Sequence, residues 1–190
     1  MESNKKKASE WFKNLRDSVC ECFEEIENIY SGRMTKIEPG KFERKSWDRP
    51  GGGGGEISIM KGRVFEKVGV NFSEVYGKFS PKFQSKIRGA ENDPTFWASG
   101  ISIVAHMHSP HIPAAHMNTR YIETKEQWFG GGIDLTPTFP QENETNYFHN
   151  ELRDICNKYN ISCYEEYSKW CEKYFFIPHR KEPRGIGGIF

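Results

Sequence analysis

No run of apolar residues in this chain approaches the roughly 20 that a membrane-spanning helix requires. The five cysteines, Cys20, Cys22, Cys156, Cys163 and Cys171, are odd in number and form no C-x-x-C pair, which argues against both a disulfide framework and a zinc ribbon. A reducing, cytoplasmic setting fits them best. There is no excess of one charge, since 27 Lys and Arg face 26 Asp and Glu for a net +1. No whole-protein field therefore recruits nucleic acid or an anionic membrane, and any anion recognition must be local. The basic N-terminus "MESNKKKASEWFKNLRD" lacks an apolar segment and carries interleaved acids, so it does not read as a leader peptide. H-E-x-x-H is missing, and the five-glycine run at 51–55 has no G-K-[ST] ending and opens a strand, which excludes a phosphate loop and suggests a mobile turn. No internal repeat is visible.

What the chain does have is aromatic residues, 14% of its 190 positions, enough for the core of one domain spanning 1–190. Trp11, Leu15, Val19, Cys22, Ile26 and Ile29 fall at helical spacing before Gly32, predicting an amphipathic helix over 10–31 that covers a sheet. "KFERKSW" and "EISIMKGRVFEKVGVNFSEVYG" alternate as two or three antiparallel strands. "FWASGISIVAHMHSPHIPAAHMNTRYIET" reads as strand, Pro-containing loop, strand. Two helices follow in "NETNYFHNELRDICNKYN" and "CYEEYSKWCEKYFF", then a turn into a last strand in "IPHRKEPRGIGGIF". The order predicts an α+β fold with an antiparallel sheet covered by helices.

Residues 105–120, "AHMHSPHIPAAHMNTR", hold four of the six histidines. Alternation puts Ser102 and His106 on one strand face, and His116, Asn118 and Arg120 on one face of the next. If the loop with Pro110 and Pro113 closes a hairpin, these side chains form one patch suited to binding an anion and moving a proton. The alternative is a solvated sheet face. Spacing alone does not support a zinc site, because His108 and His111 fall in the loop and no tight Cys/His cluster exists. Asp134, in "GGGIDLTP", is either a turn former or cap, or a carboxylate held where a ligand comes close. Arg180 and Arg184, in "HRKEPRGIGG", are either a solvated basic turn or a carboxylate clamp.

Taken in order, "GGGGGEISIMKGRVFEKVGVNFSEVYG", "ASGISIVAHMHSPHIPAAHMNTRYIE", "WFGGGIDLTP" and "HRKEPRGIGGIF" resemble the oxygen-dependent coproporphyrinogen III oxidases of haem biosynthesis, from about Trp47 to Phe190. The resemblance implies a broad antiparallel sheet sandwiched by α-helices, working as a homodimer. It implies oxidative decarboxylation of two propionates of coproporphyrinogen III to vinyl groups, giving protoporphyrinogen IX, carbon dioxide and hydrogen peroxide. The oxidant would be molecular oxygen, without an organic cofactor. By position, it implies His116 as proton donor and Asp134 as the acceptor of a pyrrole N–H proton. Ser102, Asn118, Thr119 and Arg120 would contact substrate, and Arg180 and Arg184 its propionates. His106, His116, His149 and His179 would be candidate ligands of a divalent metal. Members of the family continue past "RGIGG" through a further C-terminal third, so the resemblance implies a truncated member and an incomplete domain. Two rival readings are a non-catalytic tetrapyrrole-binding or dimer-forming remnant, and a metal-binding protein built on the histidines.

Overall fold

The computed structural model describes residues 4–34, 36–159 and 163–190. Helix α1 (Asn4–Ile29) precedes three strands, β1 (Glu43–Asp48), β2 (Gly53–Met60) and β3 (Phe65–Lys78). A short helix α2 (Pro81–Gln84) leads to β4 (Thr95–Met107), β5 (Ala114–Glu123) and β6 (Gln127–Thr136). Helices α3 (Glu142–Tyr159) and α4 (Cys163–Tyr174) and the two-residue β7 (Gly188–Ile189) complete the order. The seven strands form one antiparallel sheet in chain order, β1 to β7, and with the helices this is an α+β fold.

The sheet has two unlike faces because the sequence alternates. Val68, Val70 and Phe72 of β3 and Ile101, Ile103 and Ala105 of β4 point to one side, where they pack with Phe12 and Cys20 of α1. This burial is the main hydrophobic core. A second cluster at the β6–β7 edge joins Leu152 and Cys156 of α3, Cys163 and Tyr164 of α4, and Ile133 and Ile189 of the sheet. The face opposite α1 carries the functional side chains.

The N-terminal helix begins earlier than the sequence predicts and presents a different stripe. Its buried residues include Ala8, Phe12, Arg16, Cys20 and Glu27, whereas Trp11, Ile26 and Ile29 are 54%, 40% and 72% exposed. The reason is that two charged residues are consumed within the packed face. Arg16 pairs with Asp17 and Glu56, and Glu27 is wholly buried, so hydropathy alone rotates the stripe by about one residue. The glycine run is no separate loop: Gly51 and Gly52 make the β1–β2 turn, and Gly53 to Gly55 lie in β2.

Candidate active site

The loop with Pro110 and Pro113 does close a hairpin, and its register assembles the patch. Ser102 pairs with Asn118, Val104 with His116 and Gly100 with Arg120. Side chains of opposed residues share a face, so Ser102, His116, Asn118 and Arg120 line one cleft of about 660 Å³. Its other lining includes Asn71 of β3, Trp47 of β1, and an aromatic wall of Tyr174, Phe175 and Phe190. Thr119 lies between Asn118 and Arg120 and is also in the cleft lining, but strand parity turns its side chain to the α1 face, where it lines a second hollow with Ala8 and Trp11. The Asn-x-Arg contact thus rests on Asn118 and Arg120. Arg120 Nη2 donates to Asn118 Oδ1 at 2.9 Å, which fixes the guanidinium plane while the arginine itself stays exposed.

Asp134 pairs with His116 across β5 and β6 and is 2% exposed. It is neither a turn former nor a cap, because it sits inside a strand. Arg184 Nε donates to its Oδ2 at 2.8 Å and Arg184 Nη2 to its Oδ1 at 2.6 Å, a two-pronged charge-assisted pair. His116 Nδ1 lies 2.9 Å from Asp134 Oδ1 and 3.1 Å from Arg184 Nη2. The guanidinium of Arg184 stacks 3.6 Å above the Phe175 ring, and that ring meets His116 edge-on at 6.2 Å. With Nδ1–H donating to the carboxylate, the His116 Nε2 side is left to the cleft. Burial pushes the nearby Cys171 thiol up to about 11, with the Asp134 charge adding to the effect, so that sulfur stays protonated at neutral pH.

Asp134 and Arg184, to which the resemblance gives substrate roles, contact each other in this structure. Asp134 does not line the cleft, and its oxygens are engaged by Arg184 and His116, so it stands behind the imidazole rather than against a ligand. The Arg184 fork is spent on Asp134 rather than on a propionate. Arg180 is exposed and its Nε contacts Glu182 Oε1 at 2.7 Å in the turn before β7.

The four histidines implied as metal ligands are not brought together. His149 Nδ1 accepts from the Tyr164 hydroxyl at 2.7 Å, and its Nε2–H donates to the Ile186 carbonyl at 2.9 Å. Both ring nitrogens are thus occupied. His106 shares the cleft face but is exposed, and His179 is exposed in the turn. Among the described residues no group of three or more His, Cys, Asp or Glu is arranged to hold a metal ion. The residues present do not fit the implied metal.

A model of the family described as coproporphyrinogen III oxidase matches residues 7–190. The oxygen-dependent coproporphyrinogen-III oxidase of Rickettsia rickettsii (strain Sheila Smith) is 58% identical over 188 residues, covering 98% of this chain and 67% of the relative. Those of Rickettsia akari (strain Hartford) and Rickettsia bellii (strain RML369-C) are 58% and 57% identical with the same coverage. The chain belongs to the coproporphyrinogen III oxidase family.

Within that family fold, several cleft residues were not anticipated from the sequence. Phe175 and Tyr174 sit at the end of α4 in "KYFF", which reads simply as the end of an apolar helix stripe. Phe190 reaches the cleft because Gly132 of β6 has no Cβ, and a side chain there would collide with the Phe190 ring. Trp47 could have been found from strand parity, since it pairs with Gly55 on the face that carries Arg120.

Proposed function

We propose that this chain carries out the oxygen-dependent oxidative decarboxylation of coproporphyrinogen III to protoporphyrinogen IX. The observation that carries the reading is that an exposed arginine, Arg120, and a cleft-lining imidazole, His116, stand four residues apart on one strand face, with Asn118 between them. Each reacting propionate loses carbon dioxide and a hydride equivalent from the carbon next to its pyrrole. That hydride, with one further proton, reduces dioxygen to hydrogen peroxide, so the step needs no flavin or nicotinamide when the electron-rich ring supplies the electrons. The protein's task is binding, orientation and proton transfer.

In this account Arg120 grips a propionate, Asn118 fixes the guanidinium, and Ser102 offers a hydroxyl beside them. His116 gives and takes a proton through Nε2. Asp134 and Arg184 hold the imidazole in one tautomer and orientation. A homodimer and a cytoplasmic location belong to the same reading.

The reading is tested by supplying coproporphyrinogen III anaerobically, admitting oxygen and identifying the product. Formation of a divinyl product supports it. Tight binding without conversion favours the non-catalytic remnant instead.

Arg120→Ala is expected to weaken coproporphyrin binding by roughly 10- to 100-fold, the loss of one charge-assisted contact of about 1.5–3 kcal/mol. Arg120→Lys should rescue only partly, because it keeps the charge and loses the fork. Fluorescence titration measures both, and unchanged affinity in the alanine variant places the clamp elsewhere. Activity of the turnover-competent enzyme is expected to survive exhaustive chelation. Full loss restored by one divalent ion would favour the histidine-metal reading.

A further inference from the structure

We infer that Trp47 and Lys45, on edge strand β1, form the far end of the substrate site, where the indole covers part of the macrocycle and the ammonium pairs with a second propionate. The inference rests on the function proposed above and concerns the half of the cleft to which the resemblance assigns no residue.

The register puts Trp47, Gly55, Ser73, Gly100 and Arg120 side by side on the cleft face of five successive strands. At about 4.8 Å between neighbouring strands, the two ends of this row stand roughly 19 Å apart. Between them the floor is only glycine and serine. A Cβ at Gly55 would lie 2.9 Å from the Trp47 ring, and one at Gly100 would meet the Arg120 Cβ at 2.8 Å. The indole therefore lies down on the floor at one rim, and Arg120 rises from it at the other.

The trough between them is unlike at its two ends. Near Arg120 it is polar, with Ser102, Asn118 and His116. Near Trp47 it is apolar, with Ile57 and Val75 in the lining. Ile57 is 37% exposed on this face, and Ile59 and Val104 continue the apolar surface along it at 37% and 39%. A flat, apolar ring system with carboxylate arms matches that contrast, and an aromatic platform suits its face.

Lys45 stands two residues from Trp47 on the same face of β1, paired with Ile57, and is exposed. Other cations nearby are engaged. Arg44 contacts Asp17, Arg16 contacts Asp17 and Glu56, and Arg49 donates to the Tyr76 carbonyl. Lys45 makes no ion pair among the described residues. Glu43, the nearest acid on that strand face, lies on the side of Lys45 away from Trp47. Lys45 is therefore an exposed cation of β1 itself, beside the indole, left to pair with a carboxylate.

The test compares two stable porphyrin probes by fluorescence titration. Coproporphyrin III carries four carboxylates around the ring, and a deuteroporphyrin carries two on adjacent rings, which one end of the trough can satisfy. Lys45→Ala is expected to weaken coproporphyrin about 3- to 10-fold and leave the dicarboxylate within about 2-fold, as one surface-exposed charged contact would. Trp47→Ala should weaken both by about 10-fold, with Trp47→Phe recovering most of the loss. Arg120→Ala should weaken both. Equal effects of Lys45→Ala on the two probes, or none on either, overturn the inference while leaving the proposed function standing. A parent protein that binds neither porphyrin overturns both.

Discussion

Asp134→Asn is expected to lower turnover at least ~100-fold, the lower end of what a positioned proton-transfer group contributes. The cause is the tautomer of His116 more than the missing charge alone. An ionised carboxylate can only accept, so its 2.9 Å contact assigns the proton to His116 Nδ1, with Arg184 Nη2 directed to its shorter bond with Asp134 Oδ1, and this leaves Nε2 as the unprotonated nitrogen. An asparagine amide in the same place can donate to Nδ1, which forces the proton onto Nε2, where it blocks proton acceptance. The variant also leaves Arg184 without its anionic partner. Breaking a fully buried pair costs about 3–5 kcal/mol, but the Arg184 side chain is 32% exposed, so solvent reduces the penalty and about 1–3 kcal/mol of stability is the expected loss. Turnover per folded molecule, measured beside the thermal midpoint, separates the two effects. A variant that unfolds readily yet keeps its specific activity would show that Asp134 only supports the fold.

Glu27→Ala is expected to be the most damaging substitution to stability. The Glu27 carboxylate is fully buried. It accepts from the backbone N–H groups of Gly40 and Arg63 on Oε2, and from those of Val64 and Phe65 on Oε1, at 2.6 to 3.1 Å. It therefore ties α1 to the segment before β1 and to the β2–β3 turn at once. Removing it orphans four donors, and about 3–5 kcal/mol should be lost. For a domain of this size that is a drop in thermal midpoint on the order of 10 °C. A midpoint lowered by no more than a degree or two would contradict this assignment.

The same residue makes stability depend on acid. Burial by itself would raise the Glu27 carboxyl, but the donors of Arg63, Phe65, Gly40 and Val64 outweigh it and hold the group below its ordinary 4.5. A depressed folded value stabilises the fold above the unfolded value, and the contribution is lost as pH falls through the folded one. The stability gap between the parent and Glu27→Gln should therefore be full near neutral pH and close progressively below about pH 4.5. A gap that stays constant from neutral pH to pH 3 would remove Glu27 from the acid response.

Much of the sheet was legible because its signals are local. Alternation in β3, β4 and β5 fixed which side chains share a face, and two prolines marked the hairpin that brings Ser102 opposite Asn118. Strand β6 was less readable, since the three glycines in "WFGGGIDLTP" weaken strand propensity, and Asp134 consequently reads as a turn residue. The packed stripe of α1 was hidden for a related reason. Glu27 and Arg16 are charged, and only their partners, distant in sequence, make their burial tolerable. Arg184 shows the limit most clearly. Its tail motif suggests an arginine free to clamp a substrate, whereas the fold closes β6 and the β7 turn so that it faces Asp134 first.

The most direct test of the central claim is oxygen uptake on adding coproporphyrinogen III to the parent and to His116→Ala. The proposed chemistry predicts substrate-dependent oxygen consumption with carbon dioxide release in the parent, falling at least ~100-fold in the variant while porphyrin affinity stays within a few-fold. Equal oxygen uptake in the two proteins, or binding with no uptake in either, would contradict it.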